Sequence, residues 1–277
     1  MNGTVGLKQF RQDDRVTSVV FDRAQKLALL IDPQLLVVDD CRSYLRDQGL
    51  KLQAVLDSTQ LAGPGSAAAR VCEENRCELI RPSVAPQVPI ELGALRFKLL
   101  PAPSKTASGA VALVGEGLLF TGFTSWAEIV NQATFASLPG EEILLGSFDE
   151  RGVNFSTLAH ERARATKGDG SGVASISVEK YAHKIEASTT QSFVDVREPE
   201  EYEAGHFPGV RNIPLSELPL HLGELARSEK IYFSCLSGRR SLQAAKTLVY
   251  LGFPEVINVS GGYQAWVQAG LKVEKKA

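Results

Sequence analysis

Histidine is missing from the first 159 residues of this 277-residue chain, and only four occur in all, the first of them His160. Transition-metal oxygen chemistry leans on imidazole, so that half lacks the side chains such a centre needs. Cysteine is scarce too. Cys41, Cys72, Cys77 and Cys235 are too few and too scattered for a disulfide framework, which leaves reduced thiols as the expectation. Aromatic residues make up 7%, and 30 basic side chains nearly balance 32 acidic ones, so there is no electrostatic footprint for nucleic acid or an anionic membrane. No apolar run reaches the length of a membrane span. The opening Met1-Asn2-Gly3-Thr4-Val5-Gly6-Leu7-Lys8 has no basic region followed by an apolar one. The expectation is a cytoplasmic protein acting on small molecules, with neither nucleic acid nor membrane as partner.

What is present is length and pattern. A chain of this size outgrows a single core, and a composition shift at Ala165-Thr166-Lys167-Gly168-Asp169-Gly170-Ser171-Gly172 marks the break. The expected organisation is a domain over 1–166, a linker over 167–172 and a domain over 173–277. In the first, strands are expected at 17–22 and 26–32 as a hairpin, then at 52–56, 77–80, 95–100, 110–114, 118–121 and 141–145. Helices are expected at 35–50, 66–74, 126–136 and 156–165. Mixed strands flanked by helices predict a layered α/β sandwich. In the second, strand-like runs at 192–196, 230–234 and 256–259 alternate with helical segments, which predicts parallel βαβ units and a doubly wound sheet.

Cys235 directly follows the run Ile231-Tyr232-Phe233-Ser234, and ligands of such sheets sit beyond the carboxyl ends of strands. After it come Leu236-Ser237-Gly238-Arg239-Arg240-Ser241, with Ser241 read as the N-cap of a helix carried by Leu242, Ala245, Leu248 and Val249 up to Gly252 and Pro254. A loop at a helix N-terminus gathers unpaired N–H groups and the positive end of the dipole, and Arg239 and Arg240 add charge. These surroundings favour a thiolate and the persulfide anion made from it. A buried structural cysteine is the bland alternative, but it needs neither the strand-to-helix turn nor the arginines. A cysteine phosphatase would need Cys-x5-Arg. Position 241 holds Ser241, one place beyond Arg240, so spacing argues against it.

Further motifs surround this loop: Phe193-Val194-Asp195-Val196-Arg197-Glu198, Gly205-His206-Phe207-Pro208-Gly209-Val210, and Val259-Ser260-Gly261-Gly262-Tyr263-Gln264-Ala265-Trp266. In this order they resemble the rhodanese family over about the last hundred residues. The resemblance implies a sulfurtransferase. Cys235 would take sulfane sulfur from thiosulfate or a low-molecular-weight persulfide and pass it to a thiol or other thiophilic acceptor, with no cofactor. The loop Leu236, Ser237, Gly238, Arg239, Arg240 and Ser241 would bind the sulfur substrate, the amides of Leu236 to Arg240 holding the persulfide, and Asp195 and Arg197 would support the loop. Of Arg239 and Arg240, either could guide an anionic donor, or one could hold the loop by pairing with Asp195. His206 is expected to fix a turn rather than to act as a base.

The first half, with Leu30-Ile31-Asp32-Pro33 early on, resembles a metallo-β-lactamase αββα sandwich, and the fusion resembles persulfide dioxygenase–rhodanese proteins. That family's metal ligands would fall at Thr59, Leu61, Gly63 and Pro64, near Lys105, at Gly122-Phe123 and near Ser147, and Leu and Pro bind no metal. The expectation is a domain without a metal. It would shape access to Cys235, support a homo-oligomer, or, in a persulfide carrier or sensor that does not turn over, bind a partner protein. Cys72 and Cys77 are expected to be core residues at a helix-to-strand junction.

Overall fold

A computed structural model describes residues 4–13, 15–58, 66–81, 89–102, 111–147, 153, 155–164, 173–187 and 191–275. The chain divides into two compact units, one of residues 1–151 with 155–167, the other of 168–277 with 152–154. The linker expected at 167–172 lies outside the described residues.

The first unit holds two sheets. Strands β1 (Val5–Gln12), β2 (Arg15–Asp22) and β3 (Leu27–Ile31) run antiparallel. Helix α1 (Val38–Asp47) crosses to β4 (Lys51–Leu56) and α2 (Ala67–Asn75) to β5 (Glu78–Ile80), and these strands add in parallel in the order β1-β2-β3-β4-β5. Parallel neighbours need such crossovers, and the helices supply them. Val38, Cys41 and Leu45 of α1 and Ala67, Ala68, Val71 and Cys72 of α2 close a core over Val19, Leu30 and Val55.

The second sheet comprises β6 (Ile90–Leu92), β7 (Leu95–Pro101), β8 (Val111–Gly115), β9 (Leu118–Gly122), β10 (Ile143–Gly146) and β11 (Ser156–Thr157) in the order β11-β10-β9-β8-β7-β6. Only β9 and β10 pair in parallel, joined through α3 (Trp126–Val130) and α4 (Ala133–Ala136); α5 (Leu158–Arg164) follows β11.

Several expectations are corrected here. The helix expected at 126–136 breaks in two, because Asn131 Nδ2 donates to the Ala127 carbonyl at 2.7 Å and Gln132 is extended. Helix 35–50 begins as a 3-10 turn over Leu35–Val37 and its α-helical part ends at Asp47, just short of Gly49 at φ +63°. The start of the helix expected at 156–165 is strand β11, paired with Ile143 and Leu144. Strand β1 carries no clear strand pattern in the sequence, because polar residues and Gly6 interrupt its alternation.

The second unit is one parallel sheet of β12 (Ala174–Ile176), β13 (Ser192–Asp195), β14 (Arg211–Asn212), β15 (Ile231–Ser234) and β16 (Val256–Val259), in the order β12-β16-β15-β13-β14. Helices α6 (Val178–Ala187), α7 (Pro199–Glu203), α8 (Arg239–Tyr250) and α9 (Gly262–Gln268) and a 3-10 segment Leu218–Glu224 connect them. An aromatic cluster fills part of its core. Tyr181 lies edge-on or tilted against Phe207, Tyr232 and Trp266 at centroid distances of 5.5, 6.0 and 6.2 Å. From β13 the chain adds β14 on one side and then β15 and β16 on the other, so the order reverses between β13 and β15. Asp195 and Ser234 are paired across that junction. A crevice for ligand opens at this kind of reversal.

Candidate functional site

Cys235 leaves the end of β15 at this switch point and opens the loop that becomes α8. Gly238, at φ +89°, is the N-cap of the helix, so Ser241 is not the cap expected from sequence but stands inside the first turn. The reason is steric. Gly238 approaches Gly261 N and Val259 O so closely that a Cβ would stand 3.0 and 3.2 Å from them, and its left-handed backbone turns the chain into the helix three residues early. The displaced Ser241 turns inward. Its hydroxyl lies 2.7 Å from Asn258 Oδ1 and 3.4 Å from Cys235 Sγ, and Asn258 Nδ2 donates to Ser175 Oγ at 3.3 Å. One hydroxyl proton cannot serve both acceptors, and the shorter distance gives it to Asn258, leaving the oxygen to face the thiol.

The sulfur itself is buried at the floor of the loop and accepts the Gly238 N–H at 3.1 Å. The carbonyls of Cys235 and Leu236 accept the Tyr263 and Gln264 N–H groups at 2.7 and 2.9 Å, which caps the start of α9. In a planar trans peptide the N–H points opposite to the carbonyl, so the Leu236 and Ser237 N–H groups face away from α9. Among the described residues no acceptor takes the N–H groups of Leu236, Ser237, Arg239 or Arg240. Chemically this is a sulfur held by one N–H at a helix N-terminus, in a loop with further N–H groups left to bind an anion.

The arginines divide. Arg240 forms a bidentate pair with Glu201 at 2.6 and 2.7 Å, tying the loop to α7. Although partial burial works the other way, this pairing holds the Glu201 carboxyl below the usual carboxylate range. Arg239 is exposed and makes no ion pair or hydrogen bond among the described residues. Neither one pairs with Asp195, a correction to the alternative weighed above. Asp195 takes Arg197 instead, through the backbone N–H at 3.0 Å and a guanidinium contact of 2.8 Å. Two positions apart at the end of one strand, Asp195 and Arg197 meet with no loop to order. Arg197 is itself fully buried, donates to the Glu201 and Gly205 carbonyls, and stacks 4.2 Å over Tyr263. Asp195 and Arg197 therefore brace the wall of the crevice and lie beneath its surface. His206 donates its Nδ1–H to the Tyr202 carbonyl at 3.0 Å, stacks on the Tyr202 ring, and sits in a turn bridged to Glu274, in keeping with a turn-fixing role.

Sequence reasoning missed three contributors. Glu201 is one acid among several in α7. Asn258 had a signal, a lone amide inside the apolar strand Val256-Ile257-Asn258-Val259. Gly262, at φ +55°, touches the loop so closely that a Cβ would stand 2.2 Å from the Cys235 carbonyl oxygen.

In the first unit, Ser147, at one of the expected ligand positions, belongs to a different arrangement. Buried Asp32 accepts the Ser58 N–H at 2.8 Å, the Ser58 hydroxyl at 2.7 Å and the Ser147 hydroxyl, and burial pushes its carboxyl up. Three donors occupy the one carboxylate, and the side chains at Thr59, Leu61, Gly63, Pro64 and Lys105, outside the described residues, offer no imidazole. This donor set does not fit a metal. No group of three or more His, Cys, Asp or Glu suited to a metal occurs among the described residues, and none of their helices is long and apolar enough to cross a membrane.

Comparison with known proteins places residues 177–269 in the rhodanese-like domain family. YrkF of Bacillus subtilis, which bears the name of a sulfur carrier protein, is 43% identical over 98 residues, 35% of this chain and 53% of its own. A sulfurtransferase of Allochromatium vinosum is 30% identical over 98 residues, 35% of this chain and 92% of its own. This chain thus spans about half the length of the first relative and nearly all of the second. Among solved structures, ETHE1 from Myxococcus xanthus covers 57% of this chain and 81% of its own, at 19% identity and a TM-score of 0.49. A match of family and order at this level settles the C-terminal unit: the chain belongs to the rhodanese-like family.

Proposed function

We propose that the protein is a sulfurtransferase in which Cys235 is the sulfur-carrying nucleophile. The Cys235 thiolate attacks the outer sulfur of thiosulfate, the sulfur–sulfur bond breaks, sulfite leaves with the electron pair, and a Cys235 persulfide remains. A low-molecular-weight persulfide donor would leave as its thiolate. The acceptor thiolate then takes the terminal sulfur and Cys235 returns to thiolate. The carrying observation is that Cys235 Sγ accepts the Gly238 N–H at the start of α8, beside loop N–H groups that no acceptor takes among the described residues, which suits the persulfide anion. Arg239, exposed and unpaired among the described residues, guides the anionic donor; Arg240 and the Asp195–Arg197 pair hold the loop.

Intact mass after treatment with thiosulfate and with glutathione persulfide tests this reading. One added sulfur on the full chain, absent from Cys235→Ser, is expected. A Cys235→Ser chain that still gains sulfur and transfers it to a thiol at the native rate would sink the proposal. The name of YrkF favours a second reading, a carrier that loads once and delivers to a protein partner, with the first unit recognising that partner. Multiple turnovers with small thiols by the full chain would rule against it.

A further inference from the structure

The remaining cysteines are not alike. Cys41 is sealed in the core on α1, and burial, with the neighbouring Asp40 charge, pushes its thiol up to about 12. Cys72 and Cys77 instead form a pair. Cys72 lies on the last turns of α2, and Arg76, in the left-handed conformation at φ 52°, reverses the chain so that Cys77 N–H donates to the Cys72 carbonyl at 3.2 Å. This C-terminal turn folds the second side chain back over the helix end and brings the two Sγ atoms to 3.1 Å. A disulfide needs about 2 Å, so closure asks for roughly 1 Å of approach. The two sulfurs differ in access. Cys72 is buried and donates to the Glu78 carbonyl at 3.3 Å; Cys77 is half-buried.

We infer that Cys72 and Cys77 form a second sulfur-reactive site, a dithiol that low-molecular-weight persulfides convert to a disulfide with release of hydrogen sulfide. The accessible Cys77 thiolate attacks the outer sulfur of a persulfide RS–SH. The sulfur–sulfur bond of the donor breaks, RS⁻ leaves and Cys77 carries S–SH. Cys72 then attacks the inner sulfur of this persulfide, the Cys72–Cys77 bond forms, and the outer sulfur departs with its hydrogen and the Cys72 proton as hydrogen sulfide. Two cysteine sulfurs are oxidised and one sulfane sulfur is reduced to sulfide, so no other oxidant enters. Order of attack follows access. Burial pushes both thiols up, Cys72 to about 12, while its contact with Cys72 pulls Cys77 part of the way back. Cys77 is the member that ionises and meets the donor, and Cys72 resolves. The site works whether or not Cys235 carries sulfur.

The full-length Cys235→Ser chain isolates the pair. It is treated with glutathione persulfide, quenched in acid and alkylated unfolded; two of its three thiols are expected to become unreactive, with one sulfide released per chain. Trypsin cuts after Arg76, between the two cysteines, so the disulfide appears as two linked peptides that reduction separates. Cys72→Ser is expected to stop at a Cys77 persulfide, one sulfur heavier. The inference is overturned if all three thiols stay alkylatable, if the linked peptides join Cys41, or if the link forms only when Cys235 is intact. The peptide map needs no core substitution, so a Cys72→Ser chain that fails to fold leaves the result decisive.

Discussion

Two adjacent arginines in one loop have different fates, and their partners decide which is which. Arg240 is spent on Glu201, while Arg239 stays exposed with no ion pair or hydrogen bond among the described residues. Arg239→Ala is therefore expected to lower kcat/KM for thiosulfate about tenfold, the worth of one charge-assisted contact, with stability changed by less than about 0.5 kcal/mol. Arg240→Ala should instead lower transfer from every donor alike and cost about 1 kcal/mol, a modest figure because the pair is partly exposed. Steady-state kinetics with thiosulfate and with a neutral persulfide ester, alongside thermal unfolding, separates the two. Both arginines were legible in the sequence as loop cations. Their division of labour was not, because an ion pair across 39 residues depends on where α7 lies.

At the scale of elements, the loop is clamped between two helix starts. Its carbonyls cap α9 and its own N–H groups begin α8. Gly262→Ala puts a methyl group within 2.2 Å of the Cys235 carbonyl oxygen, in a left-handed backbone, so the loop must move. The expected result is a loss of about 2 kcal/mol or more and of most persulfide loading, read by denaturant unfolding and intact mass. The tie between α7 and α8 also sets an acid limit. The folded-state Glu201 carboxyl titrates below its ordinary 4.5, so its contribution is complete above about 4.5 and is lost as pH falls through the lower folded value. Glu201→Gln should abolish that part of the acid dependence, measured as the difference between the two stability–pH curves. The sequence located α8 and the strand before Cys235 because apolar spacing is local. It put the cap at Ser241 rather than Gly238 because a serine ahead of an apolar repeat is a good local signal, and only the crowding of Gly238 against Val259 and Gly261 overrides it.

For the whole molecule, the two units carry one tryptophan each, Trp126 and Trp266, both buried. Trp126→Phe and Trp266→Phe chains therefore report unfolding of one unit at a time. Asp32→Ala strands the Ser58 N–H and hydroxyl and the Ser147 hydroxyl in the interior, and should cost the first unit about 2–4 kcal/mol while Cys235 loads sulfur as before. A coupled loss of loading would show that the first unit supports the second. Much was already determined by residues alone: the Cys235 loop at a strand's carboxyl end, the order of motifs that identifies the rhodanese-like half, and a first half with no histidine to bind a metal. These are properties of residue type and short-range spacing, which the chain carries wherever it folds. Tertiary structure alone decided that Arg240 belongs to Glu201, that Asn258 and Gly262 shape the thiol's cradle, that Asp32 gathers two serines, and that Cys72 meets Cys77. Each depends on which backbones approach one another, and that distance is fixed by packing of strands and helices far apart in sequence or by a single left-handed residue at a helix end.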